Sequence, residues 1–571
     1  MTLTGKGTAI GAAIGKIHIF NEKYRIPEET LISEEEVQSH LDKYSLIKKE
    51  ALSELEQIKN SMVRIDPDKA AIFEAHQEIV EDLIINEDIP VKIKDEHWAG
   101  DWAIYQVYEA IILVLRQTDD PLLYERAVDF DDVRALLLGL WYGKKNEGLS
   151  SLKEPVIIAA YELKPRDTAS LDKNKVLAIL TETGGLTSHT AIISKSYGIP
   201  AVLGIEGLLS IVKQGQLAAV NTGDGTVILS PSDYIRNEFI KKTNDFRLDM
   251  EASESFRYKE CFTSCGQRID IGVNIAQMEF SDSQTEGDLV KTADGVGLFR
   301  TEFLFLGRNS LPQEEEQFDV YRKVLESFNK KPVILRTLDI GADKQLPCME
   351  IKREENPFLG NRGIRFCFKT LEIFKTQLRA ALRAGVYGNL WLMFPMIGSI
   401  DDIHKVKELI KDVKFDLENE GIPIGEVKIG IMIEVPSIAL IANLAVKEVD
   451  FASIGSNDLC QYLCAADRMN ADVDSYYQSY HPAMWKLLKE VVMAFNNAGK
   501  PISICGELAS DIYAVPALLG LGLRKLSMGA AVIAPVKRKI ASITIEKAKQ
   551  TADKILSLNS AEDIEEYLKS I

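Results

Sequence analysis

Polar and apolar positions change period several times along this chain. Over residues 5–20 they alternate behind a glycine-rich start, the period of a short strand. Ser33-x-x-Glu36 then forms a capping box. Behind it Val37, Leu41, Tyr44, Ala51, Leu55, Ile58 and Met62 recur at three- and four-residue spacings, broken only by Lys48, which predicts one long amphipathic helix. Helical periods also cover about 68–85, 99–117 and 121–142, with polar breaks near Pro67, Pro90 and Pro121. Two helical hairpins are therefore expected as an insertion between residues 20 and 145.

From Pro155 short apolar runs take over. Residues 156–160, 176–180, 218–221 and 227–229 read as strands, and 191–197 as a helix behind a glycine turn. With the N-terminal strand they predict a small α/β domain over 1–20 and 146–231, interrupted by a helical domain over 21–145. Residues 232–260 are charged and helical and suit a linker helix. Over 261–571 apolar runs alternate with amphipathic helices, at 269–274, 295–299, 333–337, 363–366, 391–394, 429–433, 451–454, 502–504 and 525–527. About eight strands in roughly 300 residues is the pattern of a (β/α)8 barrel. One run is then surplus, and 363–366 is the weakest. The expected fold is multidomain α/β.

Composition narrows the setting. A chain of 571 residues exceeds one ordinary domain. No apolar run is long enough to span a bilayer, and Met1-Thr2-Leu3-Thr4-Gly5-Lys6 has no signal-peptide core. Seven cysteines, odd in number and scattered, suit a reducing compartment, so a cytoplasmic protein is expected. Cys261 and Cys265, like Cys460 and Cys464, lie four apart without a zinc-site partner set and read as packing residues. A formal charge of -18 argues against nucleic-acid binding, which needs a basic footprint, and permits a basic protein partner. There is no Walker motif to bind ATP, and Gly5, Gly7, Gly11 and Gly15 do not fit a dinucleotide fingerprint.

In a (β/α)8 barrel, catalytic side chains come from the C-terminal ends of strands. Here those ends carry Arg300-Thr301-Glu302, Arg336-Thr337-Leu338-Asp339, Asn361-Arg362, Glu434, Ser456-Asn457-Asp458 and Cys505-Gly506-Glu507, with Arg468 a little beyond. Four arginines at one mouth would repel each other without an anion, and a guanidinium fork matches phosphate or carboxylate in two bonds. Arg300, Arg336, Arg362 and Arg468 thus point to a small, highly anionic substrate. Glu434 and Asp458 add hard oxygen ligands that, with substrate oxygens, suit Mg2+. Any one of these arginines alone reads better as an ordinary salt bridge; the set on successive strands does not. Cys505 could donate a proton to a carbanion or enolate, or be a buried inert thiol.

The second anomaly is Gly184-Gly185-Leu186-Thr187-Ser188-His189-Thr190. Two glycines after a strand let a ligand approach the backbone, and His189 would stand at the start of the next helix, whose N-terminus favours phosphate. A neutral imidazole is nucleophilic. Thr168, in Pro165-Arg166-Asp167-Thr168, could hold the ring by a hydrogen bond. A capping Ser-His on a loop is the plainer reading. It is kept for His18, His40, His97, His404 and His481, whereas His76 in Phe73-Glu74-Ala75-His76 could face the active histidine.

Together these segments resemble the Enzyme I family of the phosphoenolpyruvate-dependent sugar phosphotransferase system. Residues 184–190 are similar to its phosphohistidine motif, and Asp294-Gly295-Val296-Gly297-Leu298-Phe299-Arg300-Thr301-Glu302 to its first barrel motif. Residues 336–344, 430–436, Ile454-Gly455-Ser456-Asn457-Asp458-Leu459 and Cys505-Gly506-Glu507 are similar to the others. The resemblance covers nearly the whole chain. It implies that Arg300, Arg336, Arg362, Asn457 and Arg468 hold the phosphate and carboxylate of phosphoenolpyruvate, and that Glu434 and Asp458 hold Mg2+. It also implies that His189 takes the phosphoryl group on Nε2 and that Cys505 protonates the enolate to pyruvate. The helical domain would bind a histidine-containing phosphocarrier protein, and the barrel would make a homodimer.

The chain departs from the family pattern at Leu186, where a basic residue is usual, at Asp131, where arginine is usual, at Asn361, where tryptophan is common, and at Ala9-Ile10 before Gly11. Two other readings remain. A pyruvate phosphate dikinase or phosphoenolpyruvate synthase would need an ATP-grasp domain, for which the helical insertion is too small. A regulatory scaffold without turnover would release no pyruvate.

Overall fold

The computed structural model describes the chain except residues 9–10, 21–25, 63–66, 117–120, 144–148, 150–151, 164–166, 168–170, 172–174, 185–189, 192–193, 195–197, 276–282, 306–307, 309, 342–348, 350–353 and 469. It forms two compact units, Met1–Phe246 and Arg247–Ile571.

The first unit holds an eight-stranded sheet. In chain order its strands are β1 Thr2–Thr4, β2 Lys6–Thr8, β3 Ala12–Phe20, β4 Val156–Ala160, β5 Val176–Thr181, β6 Ala201–Leu203, β7 Leu217–Asn221 and β8 Thr226–Leu229, arranged β1-β8-β7-β3-β4-β5-β6-β2. The N-terminal strand is central: β3 pairs in parallel with β4 and antiparallel with β7. All five residues of β4 are buried. Ile157 and Ala159 belong to one apolar cluster and Val156, Ile158 and Ala160 to another. Covering both faces in this way explains a continuous apolar run instead of an alternating one.

Between β3 and β4 lie helices α1 Val37–Met62, α2 Pro67–Glu81, α3 Leu83–Asp95, α4 Gly100–Arg116 and α5 Pro121–Trp141, which share a core that includes Tyr44, Leu55, Phe73, Ile104 and Leu137. The Glu36 carboxylate accepts from the Ser33 N–H at 2.9 Å, as the capping box requires. The break expected near Pro90 falls instead at Asp82, whose carboxylate accepts from the Ile85 N–H, and Pro90 lies inside α3. Ile85, Ile89 and Ile93 are all buried on one face of α3. Burial contributes about 1.5–3 kcal/mol for each such side chain, which outweighs the ~3 kcal/mol cost of an internal proline.

Helix α6 runs over Asp233–Glu254. The second unit is a closed barrel of eight parallel strands: β9 Asp270–Ile275, β10 Gly295–Arg300, β11 Pro332–Arg336, β12 Asn389–Phe394, β13 Lys428–Ile433, β14 Phe451–Gly455, β15 Ile502–Cys505 and β16 Lys525–Met528. The surplus run at 363–366 belongs to a helix, Ile364–Lys369. Leu298, Ile334, Trp391, Met393, Met432, Phe451 and Cys505 form a separate cluster inside the barrel. Opposite them the strands approach closely: a Cβ on Gly297 would stand 2.0 Å from Ser527 Oγ. Lys331 and Lys500, just before β11 and β15, each donate to two backbone carbonyls, Val290 and Ala293 in one case and Val446 and Val449 in the other. They satisfy carbonyls at and just beyond helix C-termini and favour the dipole there.

Candidate active site

The expected barrel residues stand together at the C-terminal ends of the strands. Arg300 ends β10 and Arg336 ends β11, directly opposite one another in register. Glu434 follows β13, and Cys505 ends β15. Helix α7, Ser456–Cys464, starts where β14 stops and carries Asn457 and Asp458 in its first turn. Arg362 precedes Gly363, whose φ of 58° and tight surroundings exclude a side chain: a Cβ there would lie 2.8 Å from Met396 Cγ and 3.1 Å from Asp339 Oδ1.

The arginines do not face each other uncompensated, contrary to the sequence argument that they need an anion to coexist. Carboxylates interleave them. Arg336 donates through Nη2 to Glu302 at 2.9 Å, and its Nη1 lies 3.1 Å from Asp339. Arg362 donates through Nε and Nη2 to the two oxygens of Asp339, each at 3.0 Å. Its Nη1 and Nη2 also reach Asp458 at 3.1 and 3.3 Å. Arg468 Nη1 lies 3.5 Å from the same Asp458 carboxylate. Burial by itself lowers the pKa of Arg336 and Arg362. Glu302 and Asp339 beside the first, and Asp339 and Asp458 beside the second, outweigh it and hold both above the ordinary arginine value. Arg300 is different. It is exposed, has no ion pair among the described residues, and faces the like charge of Arg336.

Buried polar atoms normally find a partner. Around this mouth Arg336 Nε, Thr337 Oγ1, Asn361 Oδ1 and Glu434 Oε2 have none among the described residues. Glu434 Oε1 accepts the backbone N–H of Met396 at 2.7 Å, where the chain bends through a φ of 57°. Burial pushes the Glu434 carboxyl up to about 8, with Asp458 and Asp339 adding to the rise and Arg336 and Arg362 opposing it. An orphaned carboxylate oxygen beside a second carboxylate suits a divalent cation. Among the described residues no cluster of three or more His, Cys, Asp or Glu could hold one. Two carboxylates with positions left for water and substrate oxygens is the donor set that Mg2+ takes.

Asn457 Oδ1 accepts the N–H of Glu507 at 2.9 Å, which ties the end of β14 to that of β15. The Cys505 thiol is buried, points to the Ile454 carbonyl at 3.4 Å, and has a pKa raised by desolvation. It is a protonated thiol at neutral pH, the form a proton donor needs.

Some partners are not evident from sequence. Glu302 and Asp339 lie in the quoted clusters, but their pairing with arginines on other segments is tertiary. Gln377, on the buried face of the helix Leu371–Ala384, accepts from the Leu338 N–H and donates to Thr301 Oγ1, which in turn donates to the Arg336 carbonyl. Its one sequence signal is a neutral amide among Phe374, Leu378 and Ala381 on an apolar face.

In the first unit, His189, Thr168 and Leu186 lie outside the described residues. The Asp131 carboxylate pairs with Arg134, one turn further along α5. Arg134 also pairs with Glu109 and lies 4.8 Å from the centroid of the Tyr105 ring. The unexpected acid is therefore matched locally by a base. His76 is buried, with Nε2 3.3 Å from Asp129.

Three family models match the chain. That for "PEP-utilising enzyme, N-terminal" covers residues 4–126, "PEP-utilising enzyme, mobile domain" 152–225, and "PEP-utilising enzyme, PEP-binding domain" 250–545. The chain is 38% identical to the phosphoenolpyruvate-protein phosphotransferase of Bacillus subtilis (strain 168), over 99% of both chains. It is also 38% identical to that of Staphylococcus carnosus (strain TM300), over 100% of this chain and 99% of the relative. The solution structure of an Enzyme I protein covers 43% of this chain and 99% of its own, at 35% identity and a TM-score of 0.39.

Proposed function

The chain belongs to the phosphoenolpyruvate-protein phosphotransferase family, and we propose that its barrel mouth binds phosphoenolpyruvate and passes the phosphoryl group to His189. The enzyme is a phosphotransferase that carries out the first step of the sugar phosphotransferase system. The observation that carries the residue assignment is a pair of buried atoms without a partner among the described residues, Arg336 Nε and Glu434 Oε2. A donor and an acceptor left unpaired in one mouth fit a ligand that brings both an anion and a cation.

Arg300, Arg336, Arg362, Arg468 and Asn457 bind the phosphate and carboxylate of the substrate. Arg300, with no ion pair among the described residues, takes up the anion at least cost. Glu434 and Asp458 would hold Mg2+, which would supply positive charge to offset that of the transferring group. The neutral His189 imidazole, held by Thr168, attacks phosphorus through Nε2. A P–N bond forms, the P–O bond to the enol oxygen breaks, and the enolate leaves with that electron pair. Arg300 and Arg336 offset the departing negative charge. The Cys505 thiol gives its proton to the enolate carbon, yielding pyruvate, and regains one from solvent. Phospho-His189 then passes the group to a histidine of a phosphocarrier protein docked on the helical segment 21–145. The barrel segment 261–571 forms a homodimer, and the enzyme works in the cytoplasm; no helix among the described residues is long and apolar enough to cross a membrane.

The test is phosphorylation of the purified chain by labelled phosphoenolpyruvate, with and without Mg2+, beside His189→Ala. Acid-labile, base-stable label that needs both Mg2+ and His189 is the expected result. No label on well-folded wild-type protein would overturn the reading.

A further inference from the structure

Tyr462 lies on α7 one turn beyond Asp458, outside the set of groups assigned to substrate or metal. Its hydroxyl is 2.6 Å from the Phe358 carbonyl, 3.3 Å from Arg362 Nη1 and 3.7 Å from Met396 Sδ. A phenol has one proton. The short contact commits it to the Phe358 carbonyl, so toward Arg362 the oxygen can only accept. Burial lifts the Tyr462 pKa to about 12, which keeps that proton in place at neutral pH.

The three contacts fall on two segments of the mouth. Phe358 and Arg362 lie between β11 and β12, and the Phe358 ring centroid is 5.7 Å from the Arg362 guanidinium carbon. Met396 follows β12 and holds Glu434 Oε1 through its N–H. Tyr462 itself shares α7 with Asp458. One oxygen atom therefore joins the segment that carries Arg362 to the two segments that orient the carboxylates.

Arg362 is anchored on one edge by the two oxygens of Asp339. That grip fixes where the guanidinium sits. Its outer nitrogen, Nη1, has two acceptors, Asp458 and Tyr462. Asp458 is shared with Arg468 and assigned to the metal, so Tyr462 is the acceptor that aligns Nη1 outside those roles. We propose that Tyr462 is a positioning residue for substrate binding, which sets the plane of the Arg362 guanidinium and the height of the 357–362 segment. The inference rests on the reading of this mouth as a phosphoenolpyruvate site.

Tyr462→Phe removes one oxygen and keeps the ring that lines the neighbouring 470 Å3 cavity. Single-turnover labelling of His189 in the full chain, followed against phosphoenolpyruvate concentration with Mg2+ saturating, separates binding from chemistry. The half-saturating concentration should rise about tenfold, while the saturating rate falls by less than about threefold, as expected for loss of a hydrogen bond to a charged group that binds ground and transition states alike. In an Arg362→Lys background, which has no fork to align, Tyr462→Phe should change half-saturation by less than about twofold. An equal rise in both backgrounds would show that Tyr462 does not act through Arg362. A lowered unfolding midpoint with unchanged half-saturation would reduce its role to packing. Absence of label in the wild-type chain would remove the phosphoenolpyruvate reading and this inference together; a reactive wild type with an unaffected Tyr462→Phe would remove this inference alone.

Discussion

Asp339 carries two guanidinium groups at once: Arg362 binds its two oxygens at 3.0 Å each, and Arg336 Nη1 lies 3.1 Å from one of them. Asp339→Asn keeps the shape and removes the charge, leaving two buried arginines to share Glu302 and Asp458. Breaking a buried ion pair from one side costs about 3–5 kcal/mol. Urea unfolding of the ligand-free barrel should shift to lower denaturant by that amount, and phosphoenolpyruvate turnover should fall at least about a hundredfold. Wild-type turnover in the variant would show that Arg336 and Arg362 do not need this anchor.

Glu434 makes the ligand-free protein pH-sensitive. Its folded-state pKa of about 8 lies above the ordinary carboxylate value. Native protein therefore holds a proton there that unfolded protein has released. The stabilisation is full below the ordinary carboxylate pKa and is lost as pH rises through about 8. In chelator-treated protein the thermal midpoint should fall between about pH 5 and about pH 8, and Glu434→Gln should flatten that slope. Identical slopes for the two proteins would place the proton elsewhere.

The thiol at the end of β15 separates the two halves of the reaction. Cys505→Ala should slow pyruvate release at least about tenfold, the lower end of what a positioned proton donor contributes. Transfer from pre-formed phospho-His189 to the carrier should stay at the wild-type rate. Rapid-quench measurement of both steps decides it, and equal loss of both would refute the proton-donor role.

Two cysteines should alkylate at very different rates. Cys265 is exposed, and the Thr263 hydroxyl at 3.3 Å and then the Ile545 N–H at 3.5 Å lower its pKa, whereas burial raises that of Cys505. At neutral pH iodoacetamide should modify Cys265 more than about ten times faster, read by peptide mass spectrometry over time. Faster labelling of Cys505 would mean that its thiol is neither buried nor protonated.

The barrel was legible because its strands are short apolar runs, two of which, β10 and β11, end in arginine. β11 reads Pro332-Val-Ile-Leu-Arg336 before it meets Thr337, and the polar residue at the boundary marks the mouth. What failed was local. The helix Ile364–Lys369 is only six residues long and mixes Arg and Lys with apolar side chains, so it has no period to tell it from a strand. β1 and β6, at three residues each, are too short to signal at all. In the site, Arg300 and Arg336 could be read from strand ends, whereas Arg362 and Arg468 lie on the segments that follow β11 and α7. Their neutralisation could not be read, because Asp339 and Asp458 meet Arg362 only after the barrel closes. Gln377 shows only as an amide on an apolar helix face, and Tyr462 not at all, since their hydrogen bonds are made about forty and a hundred residues away.

In the first unit β3 and β4 lie side by side and run the same way, Lys16 opposite Val156 and Phe20 opposite Ala160. Parallel neighbours cannot be joined by a hairpin; the chain must travel back from the end of one to the start of the other, which takes roughly a dozen residues or more. Helices α1–α5 occupy that return path. Cutting them out and splicing Phe20 to Val156 through a tight turn would tear the centre of the sheet. A shortened enzyme stripped of its helices needs a substitute crossover of about a dozen residues to fold at all.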